Sequence, residues 1–174
     1  EYYNGSKIAG IDIEIAQLIA DEMGKTLVVE HMDFDAVVTA VQTIDKYDIG
    51  MAALTISEDR KQMVNFTNPY FDTTQVVVVK ADDTTFDACG NKDAMLQKLA
   101  SLSGSAAKCG GQAGTTGQQF VKGNEALEFA GFANLDFSGY DSPALAVQSM
   151  LDGNISFIIV DKAVAQTLLK NVNK

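Results

Sequence analysis

The chain has 174 residues and a formal net charge of −10. This acidity argues against nucleic acids and anionic membrane surfaces as partners, because both are bound by basic patches. Apolar residues make up 47% of the chain, enough for a substantial core, but no apolar run is long enough to span a bilayer. A single histidine excludes a multi-histidine metal site. We therefore expect neither a metal nor a cofactor.

The beginning of the chain and its cysteines bear on its compartment. Glu1-Tyr2-Tyr3 has neither the basic start nor the apolar stretch of a signal peptide, so we expect the chain to begin after any targeting segment. Cys89 and Cys109 form no CxxC pair, which disfavours zinc or thioredoxin-type chemistry. They are either two buried thiols or one disulfide. Because they flank one predicted helix in a polar, glycine-rich setting, we predict a disulfide, worth roughly 3 kcal/mol for a loop of about 20 residues. It would indicate an oxidising compartment.

Helical and extended patterns alternate along the first half. The apolar stripe of the first predicted helix, 10–23, consists of Ile11, Ile15, Leu18, Ile19 and Met23. Asp12 is expected to cap this helix and Gly24 to end it. Buried strands are predicted at 27–30, 48–53 and 74–80, and further helices at 34–44 and 57–64. In the second helix, the residues expected to face the core are Phe34, Val37, Val41 and Ile44. Ser57 is expected to cap the third.

The second half repeats this alternation after a polar, turn-rich connection. A helix is predicted at 93–102, followed by a short strand that leads into a glycine-rich turn. Ser142-Pro143 predicts the start of a helix that ends at Gly153. A buried strand at 156–161 precedes the last helix. The alternation predicts an α/β fold with parallel sheets covered by helices on both faces, in two lobes, 1–79 and 80–174.

Four strand-to-helix junctions carry polar residues, and ligands of such sheets bind at the carboxyl ends of strands. In the first, Arg60 lies in the first turn of a helix, where the dipole is already positive. Its guanidinium is therefore expected to have an anionic partner, and a guanidinium fork suits a carboxylate or a phosphate. The alternative is a surface arginine that pairs with Glu58 or Asp59.

The second junction is the turn GQAGTTG, 111–117, whose glycines and threonines offer backbone N–H groups to an anion. It matches neither a Walker loop nor a dinucleotide fingerprint. The third is Asp161, which either caps the following helix or presents a carboxylate to an ammonium group. The fourth is Phe34, which by its pattern alone fits a core residue at a helix start. His31 is expected to lie on the surface or to be hydrogen-bonded.

Taken in order, these segments resemble the polar amino-acid-binding proteins of bacterial uptake transporters, the extracellular solute-binding proteins of family 3. The matching segments are GIDIEIAQLIADEMG, MDFDAVVTAVQTIDKYDI, AALTISEDRKQMVNFTNPYF, QAGTTG and SMLDGNISFIIVDKAVA. Each segment alone is weak, but the ordered set is specific and covers nearly the whole chain except about 82–106.

The resemblance implies a two-lobed, type II periplasmic-binding-protein-like fold, in which each lobe is a sheet with helices on both faces. It also implies a non-enzymatic receptor that closes on a free polar or charged amino acid and delivers it to an ABC transporter permease in the membrane. Such a protein is extracytoplasmic. It is exported with a signal peptide and lies in the periplasm or is held on the outer face of the membrane as a lipoprotein.

The resemblance further assigns roles to particular residues. Arg60 would hold the ligand α-carboxylate, together with Thr55 and the backbone N–H groups of Thr115 and Thr116. Asp161 would hold the α-ammonium group. Opposite charges on the chain would thus match the two charges of a zwitterion.

Four more positions belong to the ligand-binding set. Phe34 would stack on the ligand side chain. Ala53 would offer its carbonyl where many relatives have glycine or serine, and Gln112 lies in the same turn as the threonines. Asp12 matches an acidic position that meets a cationic side chain in relatives selective for basic amino acids.

The chain departs from the family pattern in the first lobe. It begins after the family's first strand and aromatic clamp, and it ends before the return crossing that completes that lobe. We therefore expect an unpaired sheet edge and exposed apolar surface there, and association with another chain or segment.

Two other functions fit the same resemblance. One is the ligand-sensing domain of a membrane receptor. The other is an enzyme similar to cyclohexadienyl dehydratase, which needs a carboxylic acid as a general acid. Glu1 and Asp12 are the candidates for that acid.

Overall fold

The computed structural model describes residues 2–4, 7–43, 45–125 and 129–172. The chain divides into two units, Glu1–Phe71 and Asp72–Lys174. The described helices are α1 (Ile11–Glu22), α2 (Val37–Thr43), α3 (Glu58–Lys61), α4 (Lys92–Ser101), α5 (Thr116–Lys122), α6 (Pro143–Leu151) and α7 (Lys162–Val172). The described strands are β1 (Tyr2–Asn4), β2 (Lys7–Ala9), β3 (Gln75–Val79), β4 (Lys108–Gln112), β5 (Asp136–Tyr140) and β6 (Phe157–Asp161).

The first unit has less sheet than the sequence predicts. β1 and β2 form an antiparallel pair, with Tyr2 opposite Ala9. The strands expected at 27–30 and 48–53 are irregular segments, which corrects that prediction and the expectation of a helix-covered sheet in this unit. A strand needs a hydrogen-bonding neighbour. In the described part of this unit, the ladder between β1 and β2 does not reach either segment.

Helix α1 forms where predicted, but it buries a different face. Its buried residues are Asp12, Ala16 and Ala20, spaced four residues apart along one side. The predicted apolar stripe is largely exposed: the exposed fractions are 48% for Ile11, 69% for Leu18, 41% for Ile19 and 60% for Met23. The exposed apolar surface expected in this unit is therefore present. Gly24 follows the helix with a φ of 63°, as a stop residue should, whereas the residue that caps the helix start is Gly10 and not Asp12.

The second predicted helix begins as a short 3₁₀ turn, Phe34–Ala36, and continues as α2. Val37, Val38 and Ala40 are buried, whereas Phe34 is only partly buried. Ile44, which was also expected to point inward, lies outside the described residues. Ser57 precedes α3, as expected, but its side chain makes no capping hydrogen bond.

The second unit is built on a four-stranded sheet in the order β3-β6-β4-β5. β4 is parallel to both of its neighbours, as predicted, and β5 was not predicted. β3 is antiparallel to β6 and lies at the sheet edge, so the expectation of a parallel strand buried on both faces is wrong. Because β3 pairs within this sheet, the units divide after Phe71 and not at residue 79.

The core of the second unit lies on both faces of this sheet. Alternate residues of β6 point to opposite sides: Phe157 and Ile159 pack against Leu99 of α4 and Val121 of α5. Ile158 and Val160 pack with residues of α6 and α7 on the other side, among them Ala146, Met150 and Ala165. Helices on both faces of the sheet, predicted from the alternation of strands and helices, are confirmed for this unit.

The helix starts of the second unit follow local sequence rules. Asn91, Thr115 and Ser142 each accept a hydrogen bond from a backbone N–H in the first turn of α4, α5 and α6. Pro143 occupies the first turn of α6, as predicted. Among the described helices, none has both the length and the apolar character needed to cross a membrane.

The predicted disulfide is absent: Cys89 and Cys109 are both free thiols. Cys109 lies in β4 with its side chain wholly buried in the core beside Leu99 and Phe157. Cys89 instead directs its sulfur to the carbonyl of Ala94 in α4, at 3.8 Å. Strand alternation thus turns Cys109 into the core, while a contact with α4 holds Cys89.

The two thiols are expected to differ in reactivity. Burial raises the pKa of the Cys109 thiol to about 12, with a smaller contribution from Asp136. Since the thiolate is the reactive form, Cys109 should resist alkylation at pH 8 in the folded protein, whereas the partly exposed Cys89 reacts. Without reductant, titration in denaturant should give two thiols per chain. Thiols that appear only after reduction would establish the disulfide instead.

Candidate functional site

In the first unit, the site is centred on the Arg60 side chain, which is 8% exposed. Its Nη1 donates to the carbonyl of Thr55 at 3.0 Å. Its guanidinium carbon lies 5.8 Å from the centre of the Phe34 ring, within range of a cation–π contact. Burial is the main cause that lowers the pKa of Arg60, but a guanidinium stays protonated at neutral pH. The structure thus brings Phe34, Thr55 and Arg60 together.

A second cluster, around Asp12, supports the Ala53–Thr55 stretch that precedes Arg60. Asp12 is 1% exposed, and its Oδ2 accepts a hydrogen bond from the Ala53 N–H at 2.8 Å. Its Oδ1 accepts a bond from the Tyr70 hydroxyl, also at 2.8 Å. Ala53 has a φ of 47°, a left-handed conformation that alanine adopts at some cost. Asp12 therefore joins three segments and holds the Ala53–Thr55 stretch that precedes Arg60.

In the second unit, the glycine-rich turn forms the start of α5. Thr115 donates its hydroxyl to the Gln112 carbonyl at 2.8 Å and accepts a bond from the Gln118 N–H at 3.5 Å. The Gln112 side chain donates to the Asp141 carbonyl at 3.0 Å. These bonds fix the turn before Thr116, the first residue of α5.

Asp161 lies at the end of β6 and is linked to this turn by Gln75. The Gln75 carboxamide donates to the Asp161 carboxylate and, at 3.0 Å, to the Thr116 hydroxyl. Burial raises the pKa of Asp161, and the hydrogen bond from Gln75 opposes this. Asp161 is therefore a half-buried carboxylate with a neutral hydrogen-bond partner, and it directly precedes the first residue of α7.

Two residues of these clusters were not predicted from the sequence. Tyr70 and Gln75 lie far along the chain from Asp12 and Asp161. No element was predicted at Tyr70, and Gln75 fell within the strand predicted at 74–80. The register of β3 with β6, which places Gln75 opposite Asp161, was the missing information. His31 is exposed, as expected for the surface. The described residues include no cluster of three or more groups able to hold a metal ion.

The sequence and fold of this chain are similar to those of known proteins. The family model for bacterial extracellular solute-binding proteins, family 3, matches residues 1–174. The chain therefore belongs to this family. A curated relative, the arginine-binding extracellular protein ArtP of Bacillus subtilis, is 27% identical over 98% of this chain and 60% of its own length.

Solved structures agree with this assignment. An ancestral arginine-binding protein bound to arginine is 31% identical, with a TM-score of 0.78 over 97% of this chain and 67% of its own. The ancestral amino acid-binding protein AncCDT-1, a precursor of cyclohexadienyl dehydratase, is 28% identical, with a TM-score of 0.74 over 92% of this chain and 63% of its own. The fold is thus α/β and similar to that of type II periplasmic binding proteins, as the resemblance implied. The chain spans 54–60% of the first curated relatives it matches.

Proposed function

We propose that this chain binds a free polar or charged amino acid, without turnover, as the extracytoplasmic receptor of an ABC transporter permease. Its membership of the family and the names of its relatives, which include arginine- and histidine-binding proteins, support the ligand class. The observation that carries the proposal is the buried guanidinium of Arg60, held by Thr55 and the Phe34 ring. A receptor of this kind acts in the periplasm or anchored on the outer face of the membrane.

The charges suit a zwitterion. Arg60 takes the α-carboxylate through its forked donors, helped by Thr55 and by the backbone N–H groups of Thr115 and Thr116. Asp161 takes the α-ammonium group, and its partner Gln75 is neutral, which leaves the negative charge of Asp161 for the ligand. Since a desolvated ligand charge without a partner costs several kcal/mol, both charges require compensation.

Selectivity is assigned to residues around this clamp. Phe34 and the Ala53 carbonyl contact the ligand, and Gln112 supports the threonine turn. Asp12 acts indirectly, because its two carboxylate oxygens already accept bonds from Ala53 and Tyr70. The same buried, bonded state argues against Asp12 as the general acid of a dehydratase, while Glu1 lies outside the described residues. A ligand-sensing domain would use the same clamp.

The test is a thermal-shift panel of the twenty amino acids with the purified protein. A ligand that binds only the folded state at 100 times its dissociation constant stabilises by about 2.7 kcal/mol. We expect a shift with at least one polar or basic amino acid and none with the corresponding amine that lacks the α-carboxylate. No shift with any of the twenty would contradict the proposal. Conversion of prephenate or arogenate would replace it with the enzymatic function.

A further inference from the structure

Gln75 has an unusual set of contacts for a residue at the edge of a sheet. It is the first residue of β3 and lies directly opposite Asp161, the last residue of β6, in the antiparallel register. A single nitrogen, Nε2, donates to both the Asp161 carboxylate and the hydroxyl of Thr116. An amide nitrogen carries two hydrogens, so both are used to join the end of a strand to the start of α5.

The opposite end of the carboxamide is also confined. Gly117 lies so close to the sheet that an added Cβ would come 2.9 Å from the Ile159 carbonyl and 3.2 Å from Gln75 Oε1. A larger residue at 117 would therefore push α5 away from β6 or displace the carboxamide. The absence of a side chain at Gly117 lets Thr116 approach Gln75.

We infer that Gln75 is a positioning residue for ammonium recognition, which fixes the Asp161 carboxylate and the Thr116 hydroxyl in one arrangement before ligand binds. The inference rests on the proposed function. Because Oδ1 of Asp161 accepts the bond from Gln75, the ammonium group is assigned to Oδ2. A neutral donor at position 75 orients the carboxylate and leaves its negative charge in place. An arginine or lysine at this position would neutralise that charge.

The first test replaces Gln75 with methionine, which has a similar length and no donor. Hydrogen bonds to charged groups make the expected loss of amino-acid affinity roughly ten- to hundredfold by calorimetry. Affinity for the des-amino carboxylic acid, which lacks the ammonium group, should stay within twofold. In an Asp161→Asn background, the effect of Gln75→Met should fall below threefold, because the charged partner is gone.

A matched control exists in the same unit. Gln148 donates to Asp152 at 2.8 Å on the exposed side of α6, so Gln148→Met removes another Gln–Asp hydrogen bond away from the site. It should change affinity less than twofold. Gln75→Glu is a second variant, which keeps the shape of the side chain and removes the N–H donor. It should bind the amino acid at least as weakly as Gln75→Met does. A Gln75→Met protein that binds within threefold of the unchanged protein would overturn the inference.

A second readout needs no ligand and separates this inference from the proposed function. The Asp161 carboxyl is titrated by carbon NMR in the free protein. Thr74, which precedes β3, Val76 on β3, and Thr116 and Gly117 on α5 are uncharged, and Lys162 is exposed. Since Gln75 lowers the pKa of Asp161, Gln75→Met should raise its midpoint. An unchanged midpoint would refute positioning even if the protein binds an amino acid, and binding of no amino acid would refute only the proposed function.

Discussion

Alanine in place of Arg60 is expected to weaken amino-acid binding by about 3–5 kcal/mol, because a ligand carboxylate bound at Arg60 would lose its counter-charge. Arg60 is 8% exposed, so water cannot readily replace the guanidinium. Arg60→Lys should restore little, since an ammonium group cannot make the paired bonds of a guanidinium fork. Titration calorimetry with the amino acid found in the thermal-shift panel measures both variants.

Lys61→Ala is the control for this experiment. Lys61 is the next residue in α3, and its amino group pairs with Glu58 at 2.7 Å on the surface. Exposed pairs of this kind contribute about 0–1 kcal/mol to stability, so neither folding nor binding should change much. If Arg60→Ala bound within a factor of ten of the unchanged protein while remaining folded, Arg60 would not be the carboxylate partner.

Alanine in place of Asp12 is expected to lower the free energy of unfolding by about 3 kcal/mol, because it removes two hydrogen bonds to a charged acceptor, each worth about 1.5–3 kcal/mol. The loss is expected near the lower end of the sum of these two bonds, because Tyr70 is 43% exposed and its hydroxyl can bond to water instead. Asp12→Asn keeps one acceptor oxygen and should lose about half as much. Affinity should fall as well, since Ala53 would be released from its left-handed conformation two residues before Thr55.

Glu14→Ala is the matched control, because Glu14 is the other acidic residue in the first turn of α1 and is exposed. Urea unfolding of the three variants measures the difference, and hydrogen exchange of the Ala53 amide reports on the loop directly. Equal unfolding free energies for Asp12→Ala and Glu14→Ala would show that the Asp12 carboxylate does not support this loop.

The second unit was predicted well because its signals are local. Ser142 and Pro143 favour a helix start through local contacts, and the short run at 156–161, which contains three β-branched residues, is typical of a buried strand. β5 was missed because its sequence, DFSGY, has only weak strand character. The direction of β3 was wrong for another reason. A run of valines indicates a strand but carries no information on whether its neighbour runs parallel or antiparallel.

The first unit was predicted less well, because its apolar patterns give buried elements only where another surface packs against them. The apolar stripe of α1 was expected to be buried, yet the helix buries Asp12, Ala16 and Ala20. Hydrophobic periodicity identifies a helix and the face that would gain most from burial, but burial also needs a surface to pack against. The segments at 27–30 and 48–53 have apolar sequences typical of strands and remain irregular for the same reason.

Short ordered patterns were enough to predict the family, the α/β class, the helix starts and the charged candidate residues Arg60 and Asp161. The surroundings of these charged residues depend on the folded structure. It stacked Arg60 on Phe34, turned the Asp12 carboxylate toward Ala53, and kept Cys89 and Cys109 as thiols. It also placed Gln75 opposite Asp161 through strand register. Contacts between residues 26 to 86 positions apart are set by packing and hydrogen-bond register, which no local pattern specifies.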